Sequence, residues 1–184
     1  MAGMLRVPRS RGALTGVLLV LLGVWGALIP FVGPYFHYAY INDMTWHYTT
    51  GRLWLEVVPG AAALLGGLIL LVAAVRPVAL FGAAVAALAG AWFAVGTLLS
   101  PVWAGIGTAG QPASVSPLAR AAEQIGFFYG LGVAIVFVSA LAIGRLSAVT
   151  VRDSLHAESR AAAMAEPVPE DAETATVPSP RQPA

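Results

Sequence analysis

The sequence predicts an all-α integral membrane protein with four transmembrane helices, arranged as two tandem parallel-repeat helical hairpins. Three observations predict this fold class: a composition poor in charge, four long uncharged apolar windows, and a short motif that occurs twice. Of the 184 residues, 58% are hydrophobic and only 10% are charged, whereas a soluble domain carries about 25% charged residues. The composition therefore excludes soluble enzymes and nucleic-acid binders, and it predicts a lipid bilayer around the chain.

Four windows are long enough to cross a bilayer and contain no formal charge. A span needs about 20 mainly apolar residues, and the windows are residues 13–32, 57–75, 78–99 and 125–143. Only Arg76 and Pro77 separate the second window from the third, which predicts a tight hairpin with Pro77 in the first turn of the third helix. The first window could instead be a cleaved signal peptide, but its apolar run is longer than the usual h-region.

The placement of arginine predicts the orientation, because basic residues in short flanking segments stay on the cytoplasmic side. All ten basic residues are arginine. Seven flank the predicted cytoplasmic ends, and they are Arg6, Arg9, Arg11, Arg76, Arg145, Arg152 and Arg160. Only Arg52 and Arg120 lie on the other side, and the tenth arginine, Arg181, lies in the tail. We therefore expect a multi-pass protein of a bacterial inner (plasma) membrane with both termini in the cytoplasm.

The windows divide the chain into three regions. Residues 1–12 are a basic cytoplasmic N-terminus, 13–146 the four-span membrane domain, and 147–184 a cytoplasmic tail. The tail is predicted as a helical extension followed by Pro-rich disorder, and a docking tail is the alternative.

Two outer loops, residues 33–56 and 100–124, connect the spans. The first is rich in aromatic residues, as expected at headgroup level. In the second, Ser116 as N-cap and Pro117 as first helical residue predict that the fourth helix starts before its apolar window. Arg120 and Glu123 then form an i,i+3 pair at the wet end of this helix.

A short motif occurs in the first and third spans. Gly23-Val24-Trp25 recurs as Gly90-Ala91-Trp92, and each copy is followed by a proline, Pro30 or Pro101, near the outer end of the span. The following spans are both rich in glycine, with Gly60 corresponding to Gly130. Since both hairpins start on the same side, they are predicted to be parallel repeats related by an axis along the membrane normal.

The duplicated hairpin, with Ser100-Pro101-Val102-Trp103 in its second copy, resembles bacterial membrane proteins of the SPW-repeat type over roughly residues 16–145. This chain departs from the Ser-Pro-Trp motif in two places. The first copy reads Ile29-Pro30-Phe31, and the second inserts Val102 before Trp103. The resemblance implies an architecture only, because no reaction or ligand is established for the family.

Small residues recur at four-residue spacing, which lets transmembrane helices approach closely. They are Gly12 with Gly16, the row Gly82, Ala86, Gly90 and Ala94, and Gly126 with Gly130. We expect this pattern to serve packing within the four-helix bundle, and a homodimer interface on the row from Gly82 to Ala94 is the alternative.

The first outer loop contains the candidate binding residues. No metal site is predicted, although His37, His47 and Asp43, with Glu56, are residue types that bind metals. Arg52 could anchor an anionic lipid headgroup or small ligand between the rings of Trp46, Tyr48 and Trp54. Arg52 and Glu56, four residues apart, could equally form a surface ion pair.

The absence of charge from the windows bears on function. Coupled transporters carry ionisable residues inside their spans, and none of the four windows contains Asp, Glu, Lys, Arg or His. Motifs such as GxSxG, HExxH and a phosphate-binding loop are missing, and so is cysteine. No catalytic residue and no cofactor are therefore predicted.

These observations predict a non-enzymatic interaction or envelope-associated subunit of the inner membrane. Its expected partners are the lipid bilayer and further copies or other membrane proteins, and nucleic acid is not among them. A small oligomeric transporter or channel is the first alternative. An extracytoplasmic ligand or metal sensor that uses the loop 33–56 is the second.

Overall fold

The computed structural model of the chain describes residues 9–40, 46–148 and 158–159. Within these ranges the protein is helical and contains no β-strand. Four helices are apolar and long enough to cross a membrane, which confirms the all-α class and the number of helices with the length and composition of a span. The predictions for residues 1–8, for Asp43 and for all of the tail beyond Ala148 except Glu158 and Ser159 lie outside the described residues.

The four long helices follow the predicted windows but extend beyond them. They are α1, Arg9–Val32, α2, Thr50–Val72, α3, Arg76–Leu99, and α4, Pro117–Ser147. A short 3₁₀ turn, Gly33–Phe36, follows α1. One π-helical turn interrupts α2 at Leu53–Val57, and another interrupts α4 at Ile125–Tyr129.

Local capping explains where the helices begin. α2 starts at Thr50, inside the stretch predicted as loop, because the Thr49 hydroxyl caps it by accepting the Arg52 backbone N–H at 3.1 Å. α3 begins at Arg76 with Pro77 in its first turn, as predicted. α4 begins at Pro117 with Ser116 in the N-cap position, also as predicted, although the Ser116 side chain makes no capping hydrogen bond.

The helices pack in cyclic order, with α1 on α2, α2 on α3, α3 on α4, and α4 on α1. The connections 33–49 and 100–116 meet at one end of the bundle, where the Ala113 N–H donates to the Ala39 carbonyl oxygen at 3.0 Å. We call this the loop end. The short turn 73–75 lies at the opposite end, the turn end.

Glycine permits the closest helix contacts. A Cβ atom on Gly60 of α2 would lie 2.5 Å from the Ala27 nitrogen of α1. A Cβ atom on Gly132 of α4 would lie 2.6 Å from the Gly90 carbonyl oxygen of α3. Both distances are shorter than real Cβ contacts, so these pairs of helices pack backbone against backbone, as small residues allow in membranes.

The predicted small-residue pairs lie at contacts within the bundle. Gly82, Ala86 and Gly90 are buried on α3, where Gly82 faces Gly66 and Ile69 of α2 and Gly90 faces Gly132 and Ile135 of α4. Gly12 and Gly16 face the end of α2, Gly126 faces the Tyr38 hydroxyl, and Gly130 faces Ile125 of its own helix. These placements leave the row from Gly82 to Gly90 turned inward.

Candidate functional site

Three ionisable side chains are buried at the loop end. Arg52 and Glu56 of α2 are 2% and 1% exposed, and Glu123 of α4 is 1% exposed. All three lie just before the uncharged windows, in the segments by which α2 and α4 extend toward the loops. The interpretation of Arg52 and Glu56 as a surface ion pair is therefore wrong. Buried ionisable groups in membrane proteins are costly and usually mark functional sites.

Arg52 ties the first connection to α2. Its Nη1 donates to the His47 carbonyl oxygen at 2.8 Å, and its Nη2 donates to the Tyr40 carbonyl oxygen at 3.2 Å. Its Nε has no hydrogen-bond partner among the described residues. The guanidinium thus binds backbone carbonyls of the first connection and is buried, so it is not exposed to anchor an anionic ligand at the surface.

Glu56 has no comparable partners. Both of its carboxylate oxygens are buried, and neither has a hydrogen-bond partner in the part of the chain that the structure describes. Burying a charged carboxylate without compensating donors costs several kcal/mol. The charge of Arg52 acts on the Glu56 carboxylate electrostatically, but the described residues supply no hydrogen-bond donor to it.

Glu123 and Arg120 meet at Ser114. The Ser114 hydroxyl donates to one Glu123 carboxylate oxygen at 2.6 Å, and the Ser114 backbone N–H donates to the other at 3.3 Å. The Arg120 Nε donates to the Ser114 carbonyl oxygen at 2.8 Å. The two side chains are thus linked through Ser114 rather than paired directly with each other, and they fix the second connection onto α4, with Glu123 on the buried side and Arg120 on the exposed side.

Two tyrosines of the first connection reach α4. The Tyr38 hydroxyl donates to the Ala122 carbonyl oxygen at 2.7 Å. The Tyr40 ring lies 5.4 Å from the Phe127 ring and 5.0 Å from the Phe128 ring between centroids. Burial, together with the neighbouring Tyr129, raises the pKa of Tyr40 to about 12. Its phenol is therefore protonated throughout the physiological range and can donate a hydrogen bond.

A polar cavity of about 270 Å³ lies at the loop end, between the end of α3 and the start of α4. Its lining residues are Tyr40, Thr97, Ser100, Pro101, Thr108, Ala109, Gly110, Gln111, Gln124 and Tyr129. The Thr97 hydroxyl is buried and has no hydrogen-bond partner among the described residues. Gln124 forms a side-chain hydrogen bond with the Tyr40 hydroxyl. The lining therefore offers hydroxyl and amide groups to a small polar molecule.

An apolar groove of about 450 Å³ lies on the outer surface between α2 and α3. Its walls are Trp54, Val58, Pro59, Trp92, Trp103, Ala104, Gly105 and Ile106. The rings of Trp92 and Trp103 meet edge to face, with 5.9 Å between their centroids. Since Trp54 and Trp103 are about half exposed, this surface is suited to lipid contact.

Each π-turn leaves one backbone carbonyl without its α-helical donor. In a regular α-helix the Val58 N–H would donate to the Trp54 carbonyl. In α2 it donates to the Leu53 carbonyl instead, so the Trp54 carbonyl has no α-helical donor. In α4 the Gly130 N–H likewise bonds to Ile125, which leaves the Gly126 carbonyl without it. Tryptophan supplies the missing donors: the Trp92 indole bonds to the Trp54 carbonyl at 2.9 Å and the Trp25 indole to the Gly126 carbonyl at 3.1 Å.

The other predicted loop residues lie apart from the cavity. Trp46 and Tyr48 are 65% and 61% exposed, and the Trp46 indole donates to the Tyr35 hydroxyl at 3.2 Å. His37 and His47 are also exposed. No three His, Asp or Glu side chains that could hold a metal ion come together in the described ranges.

Sequence reasoning missed the interior position of Glu56 and Glu123, and it did not single out Tyr40, Thr97 or Gln124. The sequence signal that could have revealed the two glutamates is their position, since each lies one or two residues before an apolar window. Comparison of the chain with protein-family models, curated proteins and solved structures gives no match. The interpretation of the site therefore depends on its own chemistry.

Proposed function

We propose that this chain is a non-enzymatic, multi-pass protein of the bacterial inner membrane that binds a small polar ligand on its extracytoplasmic side. The cavity bounded by Tyr40, Thr97 and Gln124 is the observation that carries this proposal. A ligand-dependent subunit of this kind could interact with other envelope proteins through its loop end.

The proposed orientation follows from charge. The turn end of the described bundle carries Arg76 and Arg145 next to the helix termini, and arginine is retained on the cytoplasmic side. The loop end then faces outward, with both chain termini in the cytoplasm. In this orientation the polar cavity is on the side that meets compounds from outside the cell.

The proposed duplication is supported by matching contacts in the two hairpins. The π-turns beginning at Leu53 and Ile125 occupy corresponding places in α2 and α4. In each case the indole that bonds to the π-turn belongs to the Gly-x-Trp motif of the other hairpin. This correspondence favours an SPW-type repeat, and the close contacts favour Gly132 over Gly130 as the counterpart of Gly60.

Ligand binding is favoured by the unused polar capacity around the cavity. Buried polar groups in folded proteins are normally hydrogen-bonded. At this end of the bundle, however, the Thr97 hydroxyl and the Glu56 carboxylate have no hydrogen-bond partners among the described residues. A polar ligand at Thr97 would complete the hydrogen bonding of the cavity wall.

The test is a thermal-shift screen of the purified full-length chain in detergent. The compounds are small and polar, and they include cationic, neutral and anionic members. Ala109 is 5% exposed and lines the cavity, so Ala109→Phe should fill it and abolish any stabilisation by ligand. The matched control is Val115→Phe in the same connection, where the side chain is 94% exposed.

Stabilisation by a compound that Ala109→Phe removes and Val115→Phe retains would support the proposal. If no compound of any charge stabilises the protein, or if the two variants respond alike, the proposed function is wrong.

A small transporter is the second candidate, because Arg52, Glu56 and Glu123 lie within helices that are long enough to span the membrane. Against it, all three lie at the loop end, and the buried polar side chains of the described turn-end half are Thr15 and Ser139. Flux of the bound compound into liposomes containing the protein, abolished by Glu56→Gln, would favour transport over binding alone.

A further inference from the structure

We propose that the cavity at the loop end binds a small organic ammonium compound, with the buried carboxylates as its counter-charge and the rings of Tyr40 and Tyr129 as its walls. This inference rests on the proposed function and names the chemical class of the ligand. It depends on three features of the described residues: the charges behind the cavity, the groups that line it, and its size.

The ionisable side chains near the cavity favour a cationic ligand. None of its ten lining residues is Arg, Lys or His. Tyr40 lines the cavity, and the Glu123 and Glu56 carboxylates both act on it electrostatically and disfavour additional negative charge there. A ligand cation would lower the electrostatic free energy of this wall, whereas an anion would raise it.

The arginines near the site are engaged elsewhere. Arg52 donates from both terminal nitrogens to the carbonyl oxygens of His47 and Tyr40, and the exposed Arg120 donates to Ser114. Neither arginine is hydrogen-bonded to Glu56, whose two oxygens have no hydrogen-bond partner among the described residues, although the charge of Arg52 acts on Glu56 electrostatically. Arg52 offsets one of the two buried carboxylates, so the three buried side chains Arg52, Glu56 and Glu123 leave one negative charge at this end of the bundle when all three are charged.

The lining suits an ammonium group. Aromatic rings attract cations over their faces, and rings that surround a quaternary ammonium are a common way to bind it. Tyr40 and Tyr129 line the cavity, and Thr97, Ser100 and Thr108 add side chains with hydroxyl groups to its lining, which suit a ligand that also carries a hydroxyl. With about 270 Å³, the cavity has room for several non-hydrogen atoms, close to the lower limit of about 300 Å³ for small-molecule pockets.

Choline is the probe, and its carbon isostere is the control, in which a quaternary carbon replaces the ammonium nitrogen. Binding of both compounds to the full-length protein in detergent is measured by isothermal titration calorimetry. We expect choline to bind at least about tenfold more tightly than the isostere. Glu56→Gln should remove most of this difference while leaving the affinity for the isostere unchanged.

A second variant covers the case in which Glu56→Gln fails to fold. Tyr129 is 39% exposed, so Tyr129→Leu should be tolerated, and it should lower choline affinity more than isostere affinity because it removes an aromatic face. Sodium chloride is titrated alone as the inorganic cation.

The possible results test the ammonium assignment and the proposed ligand binding separately. Equal affinity for choline and its isostere, preference for an anionic or neutral compound, or binding of sodium in place of choline would overturn the ammonium assignment and leave ligand binding intact. Failure of every compound in the screen would overturn ligand binding itself, and the ammonium assignment with it.

Discussion

The indole Nε1 of Trp92 in α3 donates a 2.9 Å hydrogen bond to the backbone carbonyl oxygen of Trp54 in α2. The acceptor is the carbonyl that the π-turn at Leu53–Val57 deprives of its α-helical donor. Lipid offers no donor to replace it. The tryptophan therefore stabilises an irregular turn and joins neighbouring helices at the same time, and Trp25 does the same for Gly126 of α4.

Trp92→Phe and Trp25→Phe should each destabilise the bundle. Either change removes the donor and leaves a carbonyl oxygen unpaired, which costs about 1–3 kcal/mol. Unfolding of the purified protein in detergent, followed by circular dichroism, measures the free energy. Trp54→Phe is the control, because it removes an indole about as exposed as that of Trp25 while keeping the backbone acceptor. An equal loss of stability in the control would contradict this account.

Gly132→Ala should separate α3 from α4. The added Cβ would lie 2.6 Å from the Gly90 carbonyl oxygen and 2.7 Å from the Ala94 nitrogen, both of which are backbone atoms. Overpacking of this kind costs about 1–3 kcal/mol.

Gly144→Ala is the control for Gly132→Ala, because a Cβ at Gly144 meets nothing within 4 Å. Gly144 lies in the last turn of α4, where alanine should stabilise by at most about 0.5–1 kcal/mol. Thermal unfolding of the two variants should therefore shift in opposite directions, and equal shifts would refute the close packing of α3 on α4.

Tyr40 should make the protein sensitive to alkali. Burial raises the pKa of Tyr40 to about 12 in the folded state, against about 10 for tyrosine in an unfolded chain. The resulting stabilisation is complete below about pH 10 and is lost as the pH rises toward about 12. Tyr40→Phe has no ionisable hydroxyl, so its unfolding midpoint should fall less steeply over this interval. Parallel pH dependences of variant and parent would argue against a buried phenol.

Single-cysteine labelling should settle the orientation, because the chain contains no cysteine. Val115 is 94% exposed at the loop end, and Ala74 is exposed in the turn 73–75. An impermeant maleimide added to intact cells should label Val115→Cys and spare Ala74→Cys, with both labelled after lysis. The reverse pattern would invert the proposed topology. Ala109 is unsuitable despite lying in the same connection, because it is buried.

The four spans were predictable from the sequence because each apolar run is long and nearly free of polar residues. The candidate site was less accessible, since a charge that ends an apolar window can lie in the headgroup region or turn into the bundle. Whether Glu56 is buried depends on the Thr49 cap, which extends α2 toward the loop end, and on how the first connection folds over Glu56. The π-turns left no trace in the apolar pattern, because five irregular residues do not disturb the average over a span.

A π-turn holds one residue more than the α-helical turn it replaces, and this has a genetic consequence. Residues five apart across the π-turn at 53–57 take the places that residues four apart have in an α-helix. Loss of one codon within 53–57 would therefore restore α-helical hydrogen bonding and leave Arg52 on its present, buried face. The same loss in a regular part of α2 would rotate the two parts of the helix by about 100° against each other. The loop end should thus tolerate a one-residue deletion at the π-turn better than elsewhere in α2.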